Sequence, residues 1–543
     1  MIPLSVAEIA AITAGIVQPA PAGSSTGTAG AAEHAPQHPA QATAPGIPDS
    51  NTESGIPEIS TYGALLRESP DDHDGTVTGP VVIDSRQAVP GALFAALPGE
   101  RVDGHDYAAA AVRQGAAAIL AARPLPGVGA PVIVVSDVTL ALGTLARAVL
   151  GRLPDATVIG ITGSSGKTST KDLTAQVVER LGPTIAPEGS LNNEIGLPLT
   201  VLRADETTKY LVLEMSARGI GHIAYLTGIA PPRIGVVLNV GRAHAGEFGS
   251  IDAVAKAKGE LVEALPPGTA GPPGTPGPAG SAGGVAVLNA DDPNVAAMAA
   301  RTEARVVTTS VRQGSAESAR AEPHREADVR ASGITLDDLG RASFTLHLRA
   351  GSAPVTLRLH GGHHVSNARA AAAVAADLGL EVAAIADALS AATARSKKRM
   401  ELTRRRDGVL VVNDAYNANP DSTRAAIEAL GHLAGNGRRG VAVLGYMAEL
   451  GDITAQSHEE AGRLAALAGA AVIVAVGAGA APVLDGARAT DGWHGEAIAA
   501  PDPKGAVEAL RNRLRPGDVV LVKASKAAGL WEVADGLLAE DNQ

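Results

Sequence analysis

Short β-branched runs alternate along this chain with longer Ala/Leu-rich stretches of helical spacing. The runs "TVIGIT", "YLVLEM", "IGVVLNV", "GVAVLNA", "GVLVVNDA", "GVAVLGY", "AVIVAVG" and "DVVLVKA" read as strands. Strands alternating with helices predict an α/β fold whose sheets are mostly parallel and covered on both faces. One apolar stretch invites another reading, because Leu464 to Leu484 holds no charged residue. Ala and Gly dominate it and Pro482 stands near its end. It therefore predicts a helix end, a turn and a buried strand in place of a membrane span.

Three tracts interrupt the pattern. Residues 18–75 are rich in Pro, Ala, Gly, Ser and Thr and poor in large apolar side chains. Such a composition cannot offset its ordering entropy, which predicts a mobile insertion. After Pro267, "GTAGPPGTPGPAGSAGG" carries Gly at every third position, but its five triplets are too few for a collagen helix. It predicts a surface loop, as does Gln313 to Arg330. With 543 residues and roughly 150 per domain, the chain exceeds a single core. Breaks near 155 and 395 divide it into 1–155, 156–394 and 395–543.

Composition narrows the function. A net charge of −12 argues against nucleic acid or an anionic membrane as the main partner, although a local basic site for an anion remains open. The absence of cysteine excludes disulfides, thiol catalysis and Cys-based zinc sites. The first residues, "MIPLSVAEIAAITAGIV", carry Glu8 and no basic n-region, so they do not read as a signal peptide. A soluble, cytoplasmic protein is expected.

The chemistry begins at "GITGSSGKTSTK", residues 160–171. Strict P-loop spacing would need glycine at 161, where Ile161 stands. The loop nevertheless follows an apolar strand and precedes a helical pattern, so its backbone N–H groups and the helix start can cradle an anion. Lys167 can bridge the β- and γ-phosphates of ATP, and the Thr168 hydroxyl can ligate Mg²⁺. Glu214 ends one predicted strand and His244 follows another, where open α/β sheets bind ligands. A carboxylate and an imidazole there could hold a second Mg²⁺.

T-G-x-x-G-K-T after an apolar strand resembles the Mur ligases and their relative folylpolyglutamate synthetase, and "LEMSARGIGHIAYL", "NVGRAHAGEFGS" and "VAKAKGELVEAL" follow in the family's order. The resemblance implies an N-terminal UDP-sugar-binding domain, a central P-loop ATPase domain and a C-terminal Rossmann-like domain. It places ATP on Thr162, Gly163, Ser164, Ser165, Gly166, Lys167, Thr168 and Ser169, with Asn289, His364, Asn367, Arg399 and Asp414. By the same likeness Lys258 matches a lysine carried as a carbamate (N6-carboxylysine). It would join Thr168, Glu214 and His244 as metal ligands. Its amine must be neutral to react with CO₂, so its pKa should be depressed. Arg399 would reach the phosphates, and Asp414 the ribose. The family's G-x-H-N-x-x-N has His364 in place of its first asparagine, and Tyr446 stands where an acidic residue is common.

"DAYNANPDS", "SLNNEIGLPLT" and "DSR…GALFAALPGERVDGHDY" are similar to the branch that joins D-alanyl-D-alanine to UDP-N-acetylmuramoyl-tripeptide. The likeness implies that Ser85 and Arg86 belong to the domain holding the uridine diphosphate. Asn192 and Asn193 would line the peptide path, and Tyr416, Asn417 and Asn419 would shape the dipeptide end. A monomer is expected. The alternatives are another Mur-type or folylpolyglutamate synthetase-like ligase, a P-loop switch that hydrolyses ATP without ligation, and a non-catalytic sugar-nucleotide binder.

Overall fold

The computed structural model describes residues 1–20, 75–99, 102–241, 245–268, 283–311, 327–435 and 437–539. Most of the tract 18–75, most of the Gly-triplet tract and most of 313–330 lie outside those residues, as does His244. Each of the predicted strand runs forms a strand. Leu464–Leu484 divides into a helix end, the strand Ala470–Val476 and the start of a helix at Pro482. Among the described residues no helix is long and apolar enough to cross a membrane.

Three sheets carry the architecture. The first has five strands and draws on residues between Ile16 and Val134; its edge strand Ile16–Gln18 runs antiparallel to the parallel remainder. The second has nine strands between Thr157 and His360. Strands from Thr157 to Ser310 are parallel in it, and Val329–Leu336, Arg341–Leu348 and Gly351–His360 extend its edge as an antiparallel meander. The third has six strands between Glu401 and Lys523, parallel except for the edge strand Glu401–Arg404. One expectation shifts here: Val329 and Arg330, read as the end of a loop, open a strand. Alternate residues Val329 and Ala331 are buried while Val329 pairs with Thr309 and Ala331 with Leu346, so period-two burial outweighs the polar flank.

Both faces of the parallel part of the central sheet are covered, which is why strands Thr157–Thr162, Tyr210–Glu214 and Ile234–Val237 are mostly apolar and buried. One face packs Ile159, Ile161 and Val236 against helices Lys167–Val178, His364–Asp377 and Val382–Ala391. The other packs Val158, Leu211 and Leu213 against helices Gly196–Val201, His222–Ile229 and Ile251–Glu263. That second core continues into the N-terminal region through helix Val138–Gly151, whose Leu142 and Leu145 are fully buried in it.

Candidate active site

Strand Thr157–Thr162 lies between Tyr210–Glu214 and Ile234–Val237, with Glu214 beside Ile161 and Val237 beside Thr162. The chain leaves it toward one side of the sheet and later crosses to the other, so the loops diverge and open a crevice at the carboxyl edge. The Gly-rich loop fills that point. Helix Lys167–Val178 begins at Gly166, whose φ of +79° and whose approach to Asn367 both require glycine: a Cβ there would lie 2.7 Å from Asn367 Oδ1. No side chain caps this helix, and an uncapped N-terminus beside a cleft suits an anion. Asn239, just past the neighbouring strand, holds the loop in shape. Its carbonyl accepts from Ser164 N–H at 3.1 Å and its Oδ1 from Ser165 N–H at 2.9 Å.

Glu214 is the hub of this wall. Its carboxylate accepts from the Thr168 hydroxyl at 2.7 Å, from Ser190 at 3.0 Å and from the Asn192 amide at 2.6 Å. Burial alone would push the carboxyl up. Lys167 and Arg399, with the hydroxyl and amide donors, outweigh it and hold Glu214 below its ordinary value. Lys167 donates to Gly163 O at 2.7 Å, and its ammonium is pulled down by burial against the opposing pull of Glu214. Lys258 is buried, and its amine falls well below the usual lysine value through burial and then through Lys167. Among the described residues it has no hydrogen-bond partner. Among the described residues no group of three His, Asp or Glu side chains is arranged to hold a metal ion, so any divalent cation here relies on mixed donors.

The facing wall comes from the third sheet. Asp414 ends strand Leu410–Asp414, in register with Lys523, and their side chains pair at 2.6 Å; Lys523 also donates to Asn417 O at 3.0 Å. The second carboxylate oxygen of Asp414 accepts from Met400 N–H at 3.0 Å, which anchors the segment carrying Arg399. Arg399 stacks 4.3 Å from the centroid of Tyr416 and points a nitrogen to within 3.4 Å of Ser190 Oγ. Its Nε is buried without a hydrogen-bond partner among the described residues. On either side of it, Lys398 and Met400 adopt φ of +61° and +51°. Asn419 caps helix Pro420–Ala434 and reaches across to donate to Ser164 O at 3.2 Å.

The linker between the two sheets is fastened along the phosphate-loop helix. Asp172 accepts from Ser396 N–H at 3.0 Å, Gln176 exchanges two hydrogen bonds with the Thr393 backbone, and Glu179 takes a bidentate pair from Arg395.

A cleft of ≈ 670 Å³ joins these walls. Of the residues singled out by sequence, Ser164 to Ser169, Asn192, Asn193, Glu214, Asn367, Arg399, Asp414, Tyr416, Asn417 and Asn419 line it. Thr162 and Gly163 lie beneath the loop, and Lys258 is buried behind it. Asn289 is not on the wall; its amide donates to Leu238 O at 2.9 Å and its Oδ1 accepts from Asp291 N–H, so it shapes the next loop. His364 is turned inward, with Nδ1 3.3 Å from the Asn367 amide, and the adjacent His363 faces the cleft instead. Ser85 is buried in a short helical turn. Arg86 folds back on Asp84 in a bidentate pair, away from the cleft, while Ile83 and Leu97 supply the N-terminal contribution to the wall. Tyr446 stacks on His458 at 5.5 Å, and Glu449 of the same loop lines the cleft. Ser190, Asn239, His363 and Lys523 were not singled out by sequence. Only Lys523 carried a signal, a lone lysine ending an apolar strand.

Comparison with known proteins identifies the family. Residues 80–149, 161–375 and 398–526 match models described respectively as Mur ligase family, catalytic domain; Mur ligase middle domain; and Mur ligase, glutamate ligase domain. The chain is 48% identical over 519 residues to the UDP-N-acetylmuramoyl-tripeptide-D-alanyl-D-alanine ligase of Mycobacterium tuberculosis, covering 88% of this chain and 96% of that protein. Identity to the Escherichia coli enzyme of the same name is 35% over 462 residues, covering 84% and 93%. Among solved structures, MurF from Acinetobacter baumannii superposes with a TM-score of 0.74 at 27% identity over 99% of both chains. MurF ligase from Thermotoga maritima in complex with ADP gives 0.69 at 28% identity, covering 86% and 98%. The chain belongs to the Mur ligase family, in the branch of the UDP-N-acetylmuramoyl-tripeptide-D-alanyl-D-alanine ligases.

Proposed function

We propose that this chain joins D-alanyl-D-alanine to UDP-N-acetylmuramoyl-tripeptide at the expense of ATP, completing the UDP-linked pentapeptide used for peptidoglycan. The observation that carries the reading is the convergence of the phosphate loop and Glu214 with Arg399 and Asp414 in one cleft between two sheets. In this reading residues 1–155 serve the UDP-linked donor, 156–394 serve ATP, and 395–543 close the site over the acceptor. The protein would work as a monomer in the cytoplasm.

A carboxylate does not react with an amine directly, so it must be activated. The γ-phosphoryl of ATP moves to a terminal carboxylate oxygen of the tripeptide, ADP departs, and an acyl phosphate forms. The dipeptide amine attacks the acyl carbon and gives up a proton, and inorganic phosphate leaves with that carboxylate oxygen. Two anions must approach in the first step, so the protein's task is charge neutralisation and in-line positioning. Lys167 and the start of helix Lys167–Val178 would hold the phosphates. Arg399, whose buried Nε has no hydrogen-bond partner among the described residues, would meet the transferring group from the other side. Asp414 would face the ribose, braced by Lys523. Near neutral pH roughly a fifth of an α-amine of pKa about 7.8 is already uncharged, so a dedicated base would add little to the attack.

Mg²⁺ fits the donors on this wall. Thr168 and Glu214 sit side by side, and Lys258 is a buried amine, depressed in pKa and unpartnered among the described residues, as carbamate formation with CO₂ requires. Thr168, Glu214, His244 and carbamylated Lys258 would hold it, and it would supply neutralisation of the phosphate charge.

The reading is tested by measuring phosphate release with ATP, Mg²⁺, UDP-MurNAc-tripeptide and D-alanyl-D-alanine, omitting each in turn. Release that needs both peptides, with a product one dipeptide heavier, supports ligation. Release with ATP alone would show a switch instead, and Lys167→Ala is the control.

A further inference from the structure

Among the described residues, five lysine and arginine side chains line the cleft. Lys167 is engaged with the phosphate loop, Lys523 with Asp414, and Arg399 with Ser190 and Tyr416. Arg218 and Lys526 remain. Arg218 lies on the central-sheet wall, where its backbone N–H meets His222. Lys526 lies on the opposite wall, in the helical turn Lys526–Ala528 that follows strand Val519–Lys523. Its side chain is exposed at the rim, and among the described residues no carboxylate is within ion-pairing distance of it.

Lys526 shares a ring with Arg399. Its Nζ is 5.7 Å from the Tyr416 centroid and the Arg399 guanidinium carbon is 4.3 Å from it, so the two cationic centres are at most about 10 Å apart. The upper limit of that interval accommodates the acceptor. Two extended residues span roughly 7 Å, and one hydrogen bond adds roughly 3 Å. A dipeptide whose amine reaches the acyl carbon, beside the phosphoryl group that Arg399 meets, can place its free carboxylate at Lys526. Toward the upper limit of that interval a single amino acid falls short of Lys526.

We infer that Lys526 binds the C-terminal carboxylate of the acceptor dipeptide and, with Tyr416 as the spacer, selects a dipeptide over a single amino acid. The inference rests on the ligase reading above. The test compares KM for D-alanyl-D-alanine with KM for its C-terminal carboxamide in the wild type, Lys526→Gln and Lys526→Arg. A charge-assisted hydrogen bond corresponds to roughly a 10- to 100-fold preference. The wild type should therefore favour the carboxylate by at least about tenfold. Lys526→Gln should raise KM for the dipeptide by a similar factor and abolish the preference, while KM for ATP and for the UDP-linked donor moves less than about twofold. Lys526→Arg should keep the preference.

A Lys526→Gln protein that still favours the carboxylate would overturn the inference. So would a loss that appears in KM for the donor or ATP, or a carboxylate preference lost in Arg218→Gln instead. A wild type that ligates no dipeptide would overturn the reaction itself, and the inference with it, and is told apart by the absence of product with either acceptor.

Discussion

The two walls of the cleft hold their charges in different ways. On the central-sheet wall, Glu214 is surrounded by Thr168, Ser190 and Asn192, all fixed by a buried parallel sheet and the turns that leave it. On the facing wall, Arg399 sits on a short segment whose neighbours Lys398 and Met400 occupy the left-handed region, held there by Asp414, Glu401 and the stack of Lys398 on Trp531. Left-handed non-glycine residues cost roughly 1–3 kcal/mol each and persist only where surroundings over-determine them. One wall is ready by virtue of its fold. The other is aimed by strain, and the comparison predicts where each breaks.

The largest effect should fall on the central wall. Lys167→Ala removes the charge proposed to bridge the phosphates and should lower kcat by roughly 10³-fold or more. The stopped reaction should leave folding intact, as checked by an unchanged thermal midpoint. On the facing wall, Asp414→Ala leaves the ammonium of buried Lys523 without its carboxylate and frees Met400 N–H. Breaking a buried pair costs about 3 kcal/mol or more. The Lys523→Met/Asp414→Ala double variant should be less destabilised than the sum of the singles; additive losses in denaturant unfolding would show that the pair is not coupled.

An intermediate effect concerns pH. His364 is buried, and burial, then His363 and His360, hold its imidazole well below the ordinary 6.5. As pH falls below 6.5 the unfolded chain takes up a proton that the folded chain refuses. Stability is therefore lost on acidification, with a slope reaching about 1.4 kcal/mol per pH unit. His364→Asn should flatten the acid side of the Tm profile without erasing it, because His363 is shifted the same way. A profile unchanged by the substitution would place the acid sensitivity elsewhere. The smallest effect in stability is expected of Lys398→Gly, where relief of left-handed strain and loss of the Trp531 stack offset each other to within about 1 kcal/mol. Its signature should be a severalfold fall in kcat as Arg399 loses its fixed aim. Unaltered kcat would show that strain does not orient the arginine.

The same contrast explains what could be read from the sequence. The central wall is written in local pattern: strand, Gly-rich loop, lysine and helix are contiguous, and Glu214 closes an apolar run. Its fold class and phosphate loop were legible for that reason. Ser190 and Asn239 were not, because a loop serine and a strand-end asparagine look alike whether or not they reach a carboxylate or a phosphate loop. The choice between His363 and His364 turns on where a helix begins, which two adjacent histidines cannot signal. Asn289, Ser85 and Arg86 were singled out by resemblance, but the structure directs their side chains to Leu238, the interior and Asp84.

The bonds that fasten residues 393–396 along helix Lys167–Val178 have a mechanical consequence. They tie the incoming chain to the same rigid rod that presents the phosphate loop, so any swing of the third sheet has its axle immediately after Ser396. Points far from an axle travel; points beside it hardly move. Arg399 is three residues from that axle, and Tyr416 and Asp414 stand beside it, the first stacked 4.3 Å from its guanidinium and the second bonded to Met400 N–H. A swing about that axle would displace the far strands of the third sheet most and the corner of Arg399, Tyr416 and Asp414 least, leaving that corner in step with the loop it faces.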